Sequence, residues 1–249
     1  MEGGATLPAQ VYCGPAPTPA GLAWAWNGDP FAIAFGLLLA GVVLPRAQAR
    51  RAPLLLALGL LAILYLSPLC ALTAALFSAR VLHHVVLVAV VAPLLALALP
   101  QRGRTVPLGL LVALHTATLW LSHVPAVYDV AIRGAAGYWL MQAGLVATGW
   151  LVWRAVLAER TPPLAAVFGL FTLTVQMGLL GALITFAPAA LYTAHFATTA
   201  AFALTPLEDQ QLAGLVMWVP AALPYLAVAL WRIGRALSGD RPAPAAERP

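Results

Sequence analysis

The chain has 249 residues, 62% of them hydrophobic and only 8% charged, with a formal net charge of +5. A soluble domain carries about 25% charged residues, so this chain lacks the polar groups to cover its own surface, and lipid is its expected solvent. The basic surplus does not point to nucleic acid: all thirteen basic residues are Arg, spread one to three per loop with no basic face. A bilayer core about 30 Å thick takes roughly 20 apolar residues per helix, so the length holds about seven or eight spans with short loops. The apolar runs are long and do not alternate, which argues for helices and against a barrel. The expected fold is all-α, a polytopic bundle of seven transmembrane helices.

Residues 1–28 are rich in Pro, Gly and Ala and are expected to form an irregular extracytoplasmic tail. The first 25 residues have neither a basic n-region nor a continuous apolar core, so no cleaved signal peptide is expected. The seven spans are expected at Phe31–Leu44, Ala52–Leu69, Val81–Leu99, Val106–Leu121, Ala135–Leu157, Pro163–Phe186 and Leu212–Leu230, within a membrane domain over 29–236. Pro220 and Pro224 should kink the last of them. The Pro/Ala-rich residues 237–249 are expected to be a disordered cytoplasmic tail.

Arginine sets the orientation. Arg46, Arg50, Arg51, Arg102, Arg104, Arg154, Arg160, Arg232, Arg235, Arg241 and Arg248 fall on one side of this topology, and only Arg80 and Arg133 on the other. The positive-inside rule puts the first group in the cytoplasm, giving an N-out, C-in protein. Cys13 and Cys70 then both lie outside; a disulfide is allowed, though their spacing does not require one.

Four of the five histidines, His83, His84, His123 and His195, gather at outer helix ends or loops. His115 lies eight residues, about 12 Å, below His123. A histidine at membrane depth is costly and marks a functional candidate, with plain interhelical hydrogen bonding as the alternative. Imidazole suits Cu, Zn, Fe and Ni, and the spacing here assigns none of them. His83 and His84 point about 100° apart on a helix, so one of them, His84, is expected to face the bundle. Met141 sits near the outer end of its span, Met177 and Met217 deeper, near the level of His115. Thioethers favour Cu(I), yet methionine is also an ordinary filler of helix bundles.

In Thr205-Pro206-Leu207-Glu208-Asp209-Gln210-Gln211, Thr205 and Glu208 fit a capping box and Pro206 fits the first helical position. The alternative is that Glu208 and Asp209 form an outer cation entrance. Gln210 shares a face with Met217, and Gln211 with Trp218. Gln176 and Thr172 form a polar pair one turn apart, expected to bond between helices. With no Lys, a retinal Schiff base is excluded, and no GxxxxGK[ST] or GxGxxG motif supports nucleotide chemistry. No catalytic residue stands out, and an enzyme is not expected.

Three stretches resemble a known family. Ser78-Ala79-Arg80-Val81-Leu82-His83-His84, with Ala92-Pro93-Leu94-Leu95, resembles the SxHMxQH…APLL segment of the CtaG family of bacterial cytochrome c oxidase assembly factors. Ser122-His123-Val124-Pro125-Ala126-Val127-Tyr128-Asp129 is similar to its WHLPxLYD loop. The run from Pro206 through Asp209, Gln210, Gln211, Met217 and Trp218 to Pro220 is similar to its PLxDQQLAGLxMWxP signature, nearly residue for residue. Gly181–Pro188 also fits. The resemblance implies a seven-helix protein of the bacterial cytoplasmic membrane that assists delivery of Cu(I) to the oxidase catalytic subunit, with a periplasmic or extracellular copper chaperone as a further partner. On that basis His84 and His123 take two of the family's histidine positions. Arg80 stands where the family has its first His, and Met141-Gln142 where many members have Glu-His, so two candidate ligands are replaced. A copper permease and a structural subunit without metal are the competing readings; a permease would need ligands at an inner exit, and the cytoplasmic half offers no His, Cys or acidic pair.

Overall fold

The computed structural model describes residues 11–47, 51–99 and 106–238. Arg50, Arg102, Arg104, Arg241 and Arg248 of the arginine pattern, residues 1–10 and the tail from 239 lie outside them. Among the described residues the protein is all helix, without strands. The helices are α1 (Pro30–Ala47), α2 (Arg51–Leu66), α3 (Pro68–Ala75), α4 (Phe77–Val86), α5 (Ala92–Ala98), α6 (Leu108–Leu121), α7 (Pro125–Ile132), α8 (Ala135–Val156), α9 (Pro163–Thr185), α10 (Pro206–Trp218) and α11 (Ala222–Leu237). Phe77–Ala98, Pro163–Thr185 and Pro206–Leu237 are each long and apolar enough to cross a membrane, and there are five such spans if each of two bent pairs counts as one. The bent pairs are α2–α3, at 50°, and α6–α7, at 77°.

Local chemistry sets the bends. Ser67 is extended and its hydroxyl accepts from Leu69 N, while Pro68 occupies the first position of α3; this is a helix start, so α2 stops one residue earlier. Pro125 likewise opens α7 after extended Val124, here without a side-chain cap. These two short helices are not expected from the sequence, where the spans end at Leu69 and Leu121 and Ser122–Gly134 reads as an outer loop. The last span is interrupted at Val219–Ala221, around Pro220, between α10 and α11. Pro224 sits in the first turn of α11, where its missing N–H costs nothing.

Between α4 and α5 the helix widens into a π turn over Leu87–Val91. Ala92 N bonds Leu87 O, and Pro93 has no N–H to give, so the Val88 carbonyl loses its intrahelical partner. The indole of fully buried Trp153 on α8 supplies the replacement, Nε1 to Val88 O at 2.7 Å. An unpaired carbonyl in an apolar core would be costly, so this bond fixes the register of α8 against the α4–α5 span.

The two ends of the bundle differ. One is roofed by α3, α7, residues 11–28 and the loop 187–205. Cys13 is disulfide-bonded to Cys70 of α3, Tyr12 N donates to Ile132 O at 2.8 Å, and the Tyr12 ring stacks on Tyr138 at 4.0 Å. The N-terminal segment, expected to be irregular, is docked on the bundle from residue 11 onward. At the other end Arg232 reaches across to the α8–α9 connection, donating to Ala158 O at 3.1 Å and to Thr161 O.

Candidate functional site

α4 lies in the middle of the bundle beneath the roof. Its four polar residues, Ser78, Arg80, His83 and His84, are all buried. Leu76 is extended, so α4 begins abruptly with free backbone N–H groups. Asp209 of α10 answers them: its carboxylate accepts from Phe77 N at 2.6 Å, Ser78 N at 3.1 Å and the Ser78 hydroxyl. A carboxylate at a helix N-terminus is held by both hydrogen bonds and the helix dipole. Asp209, expected at a cation entrance, is only 1% exposed and spends both oxygens on α4. Glu208 is exposed but folded back on Thr205, whose backbone N and hydroxyl each lie 2.8 Å from its Oε2. The expected entrance is therefore two helix caps.

The rest of the motif is also architecture. Gln210 donates to Ile184 O at 3.1 Å and accepts from Leu191 N at 2.7 Å, tying the end of α9 to the roof loop. The Gln211 carbonyl receives the Thr185 hydroxyl at 3.5 Å. Gly214 and Gly181 let α10 and α9 touch: a Cβ on Gly214 would lie 2.2 Å from Thr185 Oγ1 and 2.5 Å from Gly181 O. Small residues at such crossings let membrane helices approach closely. Trp218 packs over Gly178 and edge-on to Phe186.

Both α4 histidines are buried, in contrast to the expectation that only His84 faces inward. His83 meets the edge of Tyr65 of α2, with centroids 5.0 Å apart. His84 turns to α8 and α6. Its Nε2 lies 3.1 Å from Gln142 Nε2, and its ring is 5.7 Å from that of His123. Both sides of α4 are covered because helices pack on it all round. The amide nitrogen of Gln142 can only donate, so His84 accepts at Nε2; the Gln142 oxygen accepts from the Tyr65 hydroxyl at 3.3 Å. His123 Nδ1 lies 2.8 Å from the Leu119 carbonyl, which can only accept. That fixes the proton on Nδ1 and leaves a lone pair on Nε2, which is buried and without a partner.

The roof loop closes over this pair. The Tyr192 hydroxyl donates to His123 O at 2.8 Å, and its ring stacks on Phe77 at 3.6 Å. His195 Nε2 lies 2.7 Å from the Tyr128 hydroxyl. Burial, with the Arg80 charge beside it, pushes His195 down to about 3, so it is a neutral imidazole in the roof; burial pushes the Tyr192 phenol up. The tyrosines of this cluster, Tyr65, Tyr128, Tyr138 and Tyr192, together with Gln142, were not among the sequence candidates. Their signal was available: each lies at the same end of its helix or loop as the histidines.

The remaining candidates are dispersed. His115 Nδ1 pairs with Thr148 Oγ1 of α8 at 2.8 Å, while Met141, Met177 and Met217 belong to the buried apolar core. Thr172 bonds back to Phe168 O at 2.9 Å rather than to Gln176; both line an open apolar groove of about 820 Å³ between α6 and α9. Among the described residues, no three His, Cys, Asp or Glu side chains converge on one metal position. The arrangement offers two imidazoles, one of them with a free, oriented lone pair.

No curated protein and no solved structure matches the chain. A family model does, that of the cytochrome c oxidase caa3 assembly factor, over residues 105–238. This stretch runs from just before α6 through α11 and takes in His123, His195 and the Asp209–Trp218 motif. It is more than half of the 249 residues, and the chain belongs to this family of cytochrome c oxidase caa3 assembly factors.

Proposed function

We propose that this assembly factor is a seven-span, N-out protein of the bacterial plasma membrane that assists Cu(I) delivery to the oxidase catalytic subunit from the outer face. The observation that carries the reading is His123: its Nδ1–H is held by a backbone carbonyl and its Nε2 is left bare. Metal-ligating histidines are oriented in this way by their second nitrogen. His84 is the second ligand. Two nitrogens on one ion stand about 4 Å apart, twice a metal–nitrogen bond of about 2 Å, and a ring separation of 5.7 Å accommodates that span. The ion takes the His84 lone pair now engaged by the Gln142 amide, so Gln142 is displaced on loading. A site of two neutral nitrogens in an apolar setting suits Cu(I), which is stable with two ligands, better than the harder divalent ions. The roof with its Cys13–Cys70 disulfide fits an oxidising compartment, the side to which the arginine distribution also assigns it.

The test is copper content of the purified protein under reducing conditions, with oxidase activity in cells lacking the gene. Deletion lowers oxidase activity and added copper partly restores it. His123→Ala loses copper, and Arg80→His gains it by placing a second imidazole one helical turn before His84. If copper content and oxidase activity are unchanged in both variants, the site is not on this face of α4, and the histidines serve packing.

A further inference from the structure

Among the described residues, none forms an ion pair with Arg80. Its side chain is fully buried, and a guanidinium at such a position requires a partner. No hydrogen bond closes on any of its three nitrogens. The ion pair among the described residues is Arg133–Asp129, on α7. Asp209 caps the same helix but gives its oxygens to Phe77 and Ser78. Asp29 accepts from Phe31 N and forms no ion pair. The hydroxyls of Tyr128 and Tyr138 stand near the guanidinium but are neutral. The Tyr138 ring face, 5.2 Å from Cζ, gives partial relief as a cation–π contact.

The neighbours add donors rather than acceptors. His83 is three residues along, on the same helix face, fully buried with both ring nitrogens unpartnered. A neutral imidazole always carries one N–H. His84 accepts at Nε2, so its proton is on Nδ1, which is also buried and unpartnered. A guanidinium fork and two imidazole N–H groups thus lie on one helix with no closed hydrogen bond, and the acceptors nearest the guanidinium, the Tyr128 and Tyr138 hydroxyls, carry no charge to balance it. Water could serve the hydrogen bonds but not the charge.

We propose that Arg80 and His83 bind a small monovalent anion of the halide class as the counter-ion of this cluster. The single net charge selects a monovalent species, and the complete burial selects a small one. The proposal stands without the copper reading, since it concerns the metal-free protein. If both hold, the anion cancels the Arg80 charge that would otherwise oppose a cation at His84.

The experiment uses the metal-free full chain in detergent, with sodium gluconate exchanged for sodium bromide at constant ionic strength. Bromide raises the thermal midpoint, and beyond half-saturation of the site each tenfold increase in concentration adds an equal step. Crystals grown in bromide show an anomalous peak beside the Arg80 guanidinium. Arg80→Met abolishes the midpoint dependence, while Arg133→Met keeps it. The proposal is overturned if crystals of the wild-type protein show no peak at Arg80, which leaves water as the partner, or if Arg80→Met retains the full bromide dependence, which places the anion elsewhere. The wild-type crystals decide the matter even if Arg80→Met does not fold.

Discussion

The α9–α10 crossing and the α4 histidine cluster lie side by side beneath the same roof and are built on opposite principles. At the crossing every prominent polar group is satisfied: Asp209 by three donors of α4, Gln210 by Ile184 O and Leu191 N, Thr205 and Glu208 by each other. At the cluster the Arg80 nitrogens, both nitrogens of His83, Nδ1 of His84 and Nε2 of His123 are buried and unpaired. A protein gains stability from groups of the first kind and loses it to groups of the second, and unsatisfied groups persist where function requires them. The comparison separates two kinds of motif. The run most like the family signature holds the scaffold together, and the histidines beside it are where chemistry can occur.

The largest effect expected of a single change is at Asp209. Asp209→Ala strips the acceptor from two backbone N–H groups and a hydroxyl in a buried site, and leaves the start of α4 uncapped. The loss should be about 3 kcal/mol or more, read as a lower midpoint in denaturant titration of the detergent-solubilised protein. Asp209→Asn keeps one acceptor and should lose less. If Asp209→Ala is as stable as the wild type, the crossing is not the scaffold described, and the acid regains its claim to a role in cation entry.

Gly214→Ala comes next. Its new Cβ would meet Thr185 Oγ1 at 2.2 Å and Gly181 O at 2.5 Å, and a carbonyl cannot rotate away as a flexible side chain can. Forcing the helices apart should cost about 1–3 kcal/mol. Gly36→Ala in α1 is the control, because a Cβ there meets nothing within 4 Å and should be neutral or mildly stabilising. Equal stability of the two variants would show that the α9–α10 contact is looser than the backbone geometry implies.

Much of this architecture is legible in the amino-acid sequence. The helical class follows from composition, and α8 and α9 appear within one residue of their expected ends, because a long apolar run bounded by Gly134 and by Pro162-Pro163 leaves little choice. The capping box at Thr205 was readable for the same reason: it is a local device whose partners lie three residues apart. The proximity of His84 and His123 also follows once both sit at one end of the bundle. The role of Asp209 could not be read, since its partners are 131 and 132 residues away, and the same carboxylate reads equally well as cap or as cation attractor. The burial of His83 was missed for a related reason. Helix periodicity shows that two faces exist, but not that a neighbour covers each of them. Arg80 was seen as a departure from a pattern, whereas its lack of a hydrogen-bond partner is visible only in three dimensions.

The smallest expected effect is the sharpest test of the comparison, and it lies at His83. If the cluster is kept for function, removing one of its unsatisfied groups should cost little stability. His83→Leu exchanges an imidazole with two unpaired nitrogens for an apolar side chain in a fully buried position. The variant loses the edge contact with Tyr65 at 5.0 Å, an aromatic pair of about 0.5–1.5 kcal/mol. It gains by relieving the desolvation of unpaired polar atoms, an opposing term of about 1–3 kcal/mol. The sum should fall within about 1 kcal/mol of the wild type, on the stabilising side if it departs from zero. The measurement belongs in gluconate, where no bound anion contributes. A loss of more than about 2 kcal/mol, beyond what the Tyr65 contact accounts for, would mean that His83 is held by partners such as ordered water, and that the cluster is as much scaffold as the crossing beside it.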